Sequence, residues 1–235
     1  MLKFNGKELT DFNIDILSDL TFSAPAHDVE FTEVPGVDGD IAISNNRLKS
    51  FDRSFPFVMR SKVSIEKDFQ ELSNFLKQDD SWHDLEWIGS DGFVYKAMYH
   101  EQVDLGRIVN TLGKGVLNFR MKPVKYLKSS LVEVDLGSSV NNPYKRTAKP
   151  KLTIKGSGNM KINIGSSVLK LQNVDGGVIV DSKSETITDL TGRRSQYDKL
   201  VSYPFPVIGQ GNNIVTKTGS ITSIKIIPRL EVVAT

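Results

Sequence analysis

The segment 141–158, NNPYKRTAKPKLTIKGSG, constrains the fold most strongly because it divides the chain into two unlike parts. Pro143 and Pro150 each fix their own φ and push the preceding residue into extended geometry. Between them lies a basic run with almost no apolar residue, which is typical of a solvated connector. We therefore predict a first domain over residues 1–142, a linker over 143–150 and a second domain over 151–235.

The net charge changes at the same place. Residues 1–142 carry 16 Lys and Arg against 22 Asp and Glu, and residues 143–235 carry 14 against 6. The overall charge of +2 and pI of about 8.6 therefore combine an acidic first part with a basic second part. A basic pI favours nucleic-acid binding, but a basic excess confined to one part argues against that interpretation.

Composition excludes several classes of protein. The sequence has no cysteine, which excludes disulfides, thiolate metal sites and a cysteine nucleophile. No apolar run approaches the roughly 20 residues that a membrane-spanning helix needs. The first residues, MLKFNGKELTDF, contain no apolar signal core, so we expect synthesis in the cytoplasm without a secretion signal.

The first part combines strand patterns with one helix pattern. Asn5 and Gly6 favour the tight turn of a first hairpin, and the GSDG sequence at 89–92 favours the turn of another. Apolar residues recur at three- and four-residue steps from Ile65 to Leu76, which predicts a helix near 65–78 with Ser64 as its N-cap. The first domain is therefore expected to be α+β, a β-sandwich with one helix packed on a sheet.

A shaped loop, VPGVDGD, occupies residues 34–40 after an early strand. One proline and two glycines specify a defined turn, and an ordinary connection between strands explains them. Asp38 and Asp40 supply two carboxylates, whereas a calcium loop uses about six ligand positions. We therefore expect no metal here.

The second part contains short strands separated by turns, the pattern of a β-sandwich or barrel. Residues 191–203 show no clear period, so we expect a surface loop or an arm there. The whole chain is thus predicted to be mainly β with one helix.

No catalytic or cofactor motif is present. His27, His83 and His100 lack a metal-binding spacing, and no nucleophile elbow occurs. The glycines at 209 and 211 lack the strand-to-helix context of a dinucleotide site. Acidic residues are too common in the first part to exclude a pair of glycosidase carboxylates. Even so, we expect a protein that is not an enzyme and binds no cofactor or metal.

Five segments, taken in order, carry a resemblance to a known family. They are VPGVDG at 34–39, VLNFRMKP at 116–123, PKLTIKG at 150–156, GVIVD at 177–181 and FPVIGQGNN at 205–213. The order and spacing of these segments resemble those of the distal tail proteins of siphophages that infect Gram-positive bacteria. The resemblance extends over nearly the whole chain.

The resemblance implies a structural protein of the virion tail tip. Members of the family form a hexameric ring, single or stacked, through the N-terminal domain. They carry a galectin-like or carbohydrate-module-like β-sandwich on the outside. The ring joins the major tail or tube protein to the tail-associated hub protein and, in many phages, to receptor-binding proteins. DNA passes through the central channel without specific binding.

The resemblance also suggests two sets of site residues. Ring formation by β-domains uses exposed strand edges in a head-to-tail contact, so we expect the first hairpin and the neighbouring early strands to form it. The predicted interface residues are Leu2, Phe4, Leu9, Pro35, Gly36, Asp38 and Gly39. The predicted partner-binding arm contains Arg193, Arg194, Tyr197 and Lys199.

Two alternatives remain open at this point. Acidic residues of the first part either line a channel, where they repel DNA phosphates, or face outward on a solvated surface. The second part could instead be a carbohydrate-binding module that contributes to attachment to the host cell wall. It has few aromatic residues for stacking on sugars, namely Tyr144, Tyr197, Tyr203 and Phe205, which favours a docking or spacer domain.

Overall fold

The structure is a computed structural model that describes residues 1–17, 23–90 and 92–235. These residues divide into two compact units, Met1–Lys125 with Val233–Thr235, and Tyr126–Val232. The difference in charge persists with this division, since the first unit has 15 Lys and Arg against 20 Asp and Glu, and the second has 15 against 8.

The division falls earlier in the chain than the predicted boundary after residue 142. Residues 126–142 group with the second unit because two short strands in this segment pair with a long strand of that unit. The predicted linker, 143–150, also lies within the second unit. Ala148 is fully buried there and exchanges two backbone hydrogen bonds with Ile208. The basic run is therefore a surface segment of the second unit, with an apolar residue anchored in its core.

Ten strands and one α-helix form in the described residues up to Leu127. The strands are β1 (Leu2–Phe4), β2 (Lys7–Glu8), β3 (Ile14–Ile16), β4 (His27–Thr32), β5 (Ile41–Leu48), β6 (Phe51–Arg60), β7 (His83–Trp87), β8 (Phe93–Met98), β9 (Leu105–Val109) and β10 (Leu112–Leu127), and the helix is α1 (Ile65–Leu76).

Eight further strands follow in the described residues. They are β11 (Val134–Asp135), β12 (Ser139–Asn142), β13 (Lys151–Ile164), β14 (Ser167–Val174), β15 (Gly177–Asp181), β16 (Thr186–Thr188), β17 (Gly211–Ile227) and β18 (Glu231–Val233). Single 3-10 turns occur at Leu9–Phe12, Lys128–Leu131 and Tyr197–Lys199.

The main sheet of the first unit has the strand order β2-β1-β7-β8-β10-β6-β3, and β9 also pairs with β10. The β1–β2 turn has positive φ at Asn5 and Gly6, as the sequence predicted. The β7–β8 hairpin also forms, although Asp91 of its predicted turn lies outside the described residues. Helix α1 buries Ile65, Leu72 and Leu76 in the core of this unit.

The helix begins and ends close to the predicted positions. Ser64 has the extended conformation of an N-cap, although its side chain makes no capping hydrogen bond. On the inner face of the helix, Phe75 stacks on Phe12 with ring centroids 5.1 Å apart and meets Phe4 edge-on at 6.1 Å. Aromatic contacts of this kind add to the stabilisation from buried area and hold α1 in one orientation on the sheet.

Two long strands, β13 and β17, run antiparallel through the second unit and form its centre. Strands β14 and β15 pair with opposite ends of β13, and β12 and β11 pair with opposite ends of β17. The pairing of β13 and β17 shifts register near Gly156, which has a φ of 152°. A Cβ at this position would lie 2.3 Å from the Ser220 carbonyl oxygen, so the bulge requires glycine.

The fold class predicted from the sequence is confirmed. In the described residues the chain is mainly β with one α-helix, and each unit encloses its own apolar core.

Candidate functional site

Neither a metal centre nor a membrane-spanning helix occurs in the described parts of the chain. No three His, Asp or Glu side chains there are grouped to hold a metal ion. Helix α1 is too short to cross a membrane. The candidate sites are therefore surfaces, and the geometry identifies two, one in each unit.

Three of the predicted interface residues, those of the N-terminal hairpin region, lie in the interior of the first unit. Leu2, Phe4 and Leu9 are fully buried in its core, where alternate residues of β1 point inward. Their side chains stabilise the unit and offer no surface to a second copy. The exposed residues of this hairpin after β1 are Asn5 and Gly6 of the turn and Lys7 of β2, a two-residue strand at the edge of the main sheet.

The other predicted interface residues lie at an exposed tip. Pro35, Gly36, Asp38 and Gly39 belong to the loop between β4 and β5, and all four are exposed. Gly36 and Gly39 have φ values of 85° and 84°, which explains the need for glycine in this turn. The loop therefore presents a defined shape on a two-stranded sheet that we call the β4–β5 hairpin (residues 27–48).

The β4–β5 hairpin exposes apolar side chains on both of its faces. Its two strands form a sheet of their own, separate in the described residues from the main sheet. Phe31 is 68% exposed, and Ile41 and Ile43 on the facing strand are about half exposed. Phe31 is opposite Ala42 in the register, so Phe31 lies on the other face from Ile41 and Ile43. An isolated two-stranded hairpin is marginally stable in water, so this one is suited to being covered by a partner.

A buried carboxylate fixes the base of the β4–β5 hairpin. The Asp28 carboxylate accepts a hydrogen bond of 2.5 Å from Arg47 Nε and lies 3.1 Å from Lys49 Nζ. Hydrogen bonds from Arg47 and then Lys49 lower the pKa of Asp28 below its ordinary value. These ion pairs hold β4 against β5 where β4 begins and β5 ends, while the apolar tip remains exposed.

The predicted partner-binding arm packs along the second unit. Arg193 and Arg194 are exposed, but their backbone N–H groups bond to the Asp189 carboxylate. Tyr197 is half exposed, and its hydroxyl donates a hydrogen bond to the Glu185 carbonyl oxygen. Lys199 pairs with Asp198 at 2.9 Å. The segment is therefore a surface loop held by local hydrogen bonds, with two exposed arginine side chains.

The second surface is an open cavity of about 760 Å³ in the second unit. Segment 201–207 forms one wall of this cavity and is hydrogen-bonded to β14 at two positions. The Ser202 hydroxyl accepts a hydrogen bond of 2.7 Å from the Lys170 N–H, and the Ser167 hydroxyl donates to the Val207 carbonyl oxygen at 3.0 Å. Tyr203 is exposed beside the cavity, whereas Phe205 is buried.

Sequence reasoning missed the residues that give this cavity its charge. Lys149, Lys161 and Lys170 line it, and Glu185 is the one acidic residue among the described lining residues. Lys161 and Lys170 looked like ordinary exposed positions of two alternating strands. The short turn at 165–166 is the sequence signal that could have placed Lys161 opposite Lys170. Using that signal requires the register of β13 and β14 to be known.

No protein-family model matches the sequence, and no curated protein matches it either. A solved structure with a similar fold is the crystal structure of the SPP1 Dit protein (gp 19.1), described as a paradigm of the hub adsorption apparatus in phages infecting Gram-positive bacteria. The TM-score is 0.73 and the sequence identity is 17%, with 96% of each chain covered. Along nearly its whole length, this chain has the fold of a phage Dit hub protein.

Proposed function

We propose that this chain is a structural component of a phage tail tip. The observation that carries the proposal is the fold match, which covers 96% of both chains and therefore includes both units. A match of one unit alone would suggest only a shared module, since common folds host many functions. We propose a virion protein that acts through assembly and has no catalytic role.

We further propose that copies of the chain form a hexameric ring and that the β4–β5 hairpin supplies a contact between neighbours. The hairpin has exposed apolar side chains on both faces, which a neighbouring copy would cover. Its Pro35–Gly39 loop has a defined shape, which suits a repeated head-to-tail contact. The buried residues Leu2, Phe4 and Leu9 act indirectly, by holding the unit that bears the hairpin.

The proposed partners follow from this position. One side of the ring would contact the major tail or tube protein, and the other side the tail-associated hub protein. The exposed Arg193 and Arg194 side chains provide a basic surface for an acidic partner, such as a receptor-binding protein. The acidic excess of the first unit suits a channel wall that repels DNA phosphates during passage.

Light scattering of the purified chain, followed by negative-stain imaging, tests the proposal. A mass of about six chains and a ring with a central hole are expected for closed cyclic assembly. If the chain remains a monomer alone, the measurement is repeated with the neighbouring tube and hub proteins. Failure to enter an assembly with either protein would contradict the tail-tip role.

A second candidate function is favoured by one observation. The open cavity beside Tyr203 has the size of a ligand-binding site, since such sites typically enclose about 300–1,000 Å³. We propose that the second unit also acts as a carbohydrate-binding module in attachment to the host. This role is compatible with assembly, because the cavity lies wholly within the second unit.

A further inference from the structure

Two lysines face each other directly across the β13–β14 pair. Lys161 and Lys170 are register partners, so their side chains leave the sheet on the same face. Both are exposed, and among the described residues neither ammonium group has a carboxylate partner. Like charges directly opposite each other destabilise a sheet. Local conflicts of this kind are expected at functional positions, where a ligand supplies the missing opposite charge.

The lysine pair lies between two depressions. The cavity of about 760 Å³ and a smaller one of about 390 Å³ are both lined by Lys161, Lys170 and Val201. We call the two together the lysine groove. A groove that continues past the charged pair on both sides suits a linear ligand better than a single compact one. Lys149 adds a third positive charge to the larger depression.

The remaining walls of the lysine groove supply polar and aromatic groups. Tyr203 is 76% exposed, and its ring stands edge-on to Phe205 with centroids 6.5 Å apart. At the larger depression, Ser182 is 2% exposed, and its hydroxyl has no hydrogen-bond partner among the described residues. Lysines bind phosphate as point charges, and buried hydroxyls are normally paired. The groove thus combines three lysine cations, an unpaired buried hydroxyl in its wall and one exposed flat ring.

We propose that the lysine groove binds a linear polyol phosphate or sugar phosphate chain. The inference rests on the second candidate function and adds that the carbohydrate-like ligand is anionic. Single-stranded DNA shares the phosphates, but its binding grooves stack successive bases on several aromatic rings. Of the described residues lining the groove, only Tyr203 offers a largely exposed ring.

Ligand-observed NMR with the full chain tests the proposal. The probes are a glycerol phosphate trimer, neutral maltotriose and a thymidine hexanucleotide at equal ionic strength. The trimer is expected to bind more tightly than either of the others. Tyr203→Ala should weaken its binding without changing the melting temperature, because the ring is mostly exposed.

Lysine variants locate the binding. Lys161→Gln and Lys170→Gln are each expected to weaken trimer binding by about tenfold, the value of one charge-assisted hydrogen bond. Lys155→Gln is the matched control, because Lys155 is exposed on the same strand but faces Gly177 and Ser223 and lines neither depression. Lys161→Gln should also raise the melting temperature of the unliganded protein, since it removes the repulsion, which a purely structural role would not do.

The other outcomes separate the proposals. Equal loss of binding in Lys155→Gln would mean attraction to overall charge and would overturn the site. Equal binding of the hexanucleotide with the same sensitivity to Lys161→Gln would overturn the polyol or sugar assignment. Binding of maltotriose alone would leave the carbohydrate module standing and overturn the anionic ligand. Absence of binding to all three probes would overturn both the carbohydrate-binding module and the anionic ligand. The tail-tip role is decided separately by the assembly measurement.

Discussion

Arg229 holds the Asp181 carboxylate with two parallel hydrogen bonds, from Nη1 to Oδ1 at 2.6 Å and from Nη2 to Oδ2 at 2.9 Å. Both side chains are about four-fifths buried. Asp181 ends β15, and Arg229 lies just after β17, so the pair ties together two segments that are 48 residues apart in sequence. A bidentate pair of this kind fixes geometry as well as adding energy.

Replacing Arg229 should destabilise the second unit. Arg229→Ala leaves the partly buried carboxylate without its main partner, at an expected cost of about 1–3 kcal/mol in the free energy of unfolding. Arg229→Lys keeps the charge but loses the bidentate geometry. Its free energy of unfolding should therefore lie between those of wild type and Arg229→Ala. Urea denaturation at neutral pH measures the difference, and equal stability of all three proteins would show that the pair contributes nothing.

The effect of Arg229→Ala should shrink in acid. Burial raises the pKa of Asp181, but the hydrogen bonds from Arg229 and the Lys183 N–H outweigh it and lower the pKa below 3.8. A lower pKa in the folded state stabilises the protein above pH 3.8, and this contribution is lost as the pH falls through the folded pKa. The difference in stability between wild type and variant should therefore decrease below that pH, whereas a constant difference would contradict the linkage.

Gly156→Ala and its control Gly158→Ala test how closely β13 and β17 approach each other at the bulge in β13. Both have positive φ, but a Cβ at Gly156 would lie 2.3 Å from a carbonyl oxygen, and a Cβ at Gly158 would meet no atom within 4 Å. Gly158→Ala should cost about 1 kcal/mol from backbone strain alone. Gly156→Ala should cost about 3 kcal/mol or more, because the strands must also separate. Similar melting temperatures for the two variants would contradict the tight approach of β13 and β17.

Tyr99 should make the protein sensitive to alkali. Its hydroxyl is buried without a hydrogen-bond partner in the described residues. Burial, with smaller effects from Glu101 and Asp104, raises its pKa from 10.0 to about 12. Because the folded pKa is raised, the stability that it confers is present below pH 10.0 and is lost as the pH rises towards about 12.

Tyr99→Phe tests this prediction. The variant should be as stable as wild type at neutral pH or slightly more stable, because it removes an unpaired buried hydroxyl. Its stability should also fall less between pH 10.0 and about 12. Melting curves across this range measure both effects, with Tyr203→Phe as the exposed control. An unchanged alkaline profile in Tyr99→Phe would show that another group is responsible.

Phe31→Ser with Ile43→Ser tests the β4–β5 hairpin as an assembly contact. Both side chains are exposed, so the unfolding free energy of a single chain should change by less than about 0.5 kcal/mol. Sedimentation should nevertheless show a loss of higher assemblies, because the covered apolar area is reduced. Val63→Ser is the control, since Val63 is 84% exposed but lies outside the hairpin. Assembly that survives the double variant, or fails equally in the control, would exclude the hairpin contact.

Local patterns were sufficient to predict the class of the fold and several of its elements. The apolar spacing from Ile65 predicted α1 almost to the residue, and Asn5–Gly6 predicted the first turn. These predictions succeeded because a helical stripe and a tight turn are specified by residues close in sequence. The change in charge along the chain also survives in the structural units.

The candidate surfaces depended on contacts that sequence periodicity does not specify. The alternation in β1 could not show which face would be covered, so Leu2 and Phe4 were predicted at an interface and lie in the core. Pro143 and Pro150 suggested a linker, but pairing of Ala148 with Ile208 places that segment in the second unit.

The sequence by itself determined the mainly β character, the single predicted helix, the shaped loop at 34–40 and the unequal distribution of charge. Only the tertiary structure decided that the β4–β5 hairpin is left exposed and that Lys161 faces Lys170. The physical reason is that the register of paired strands decides which side chains share a face, and a shift of one residue would turn every side chain to the other face.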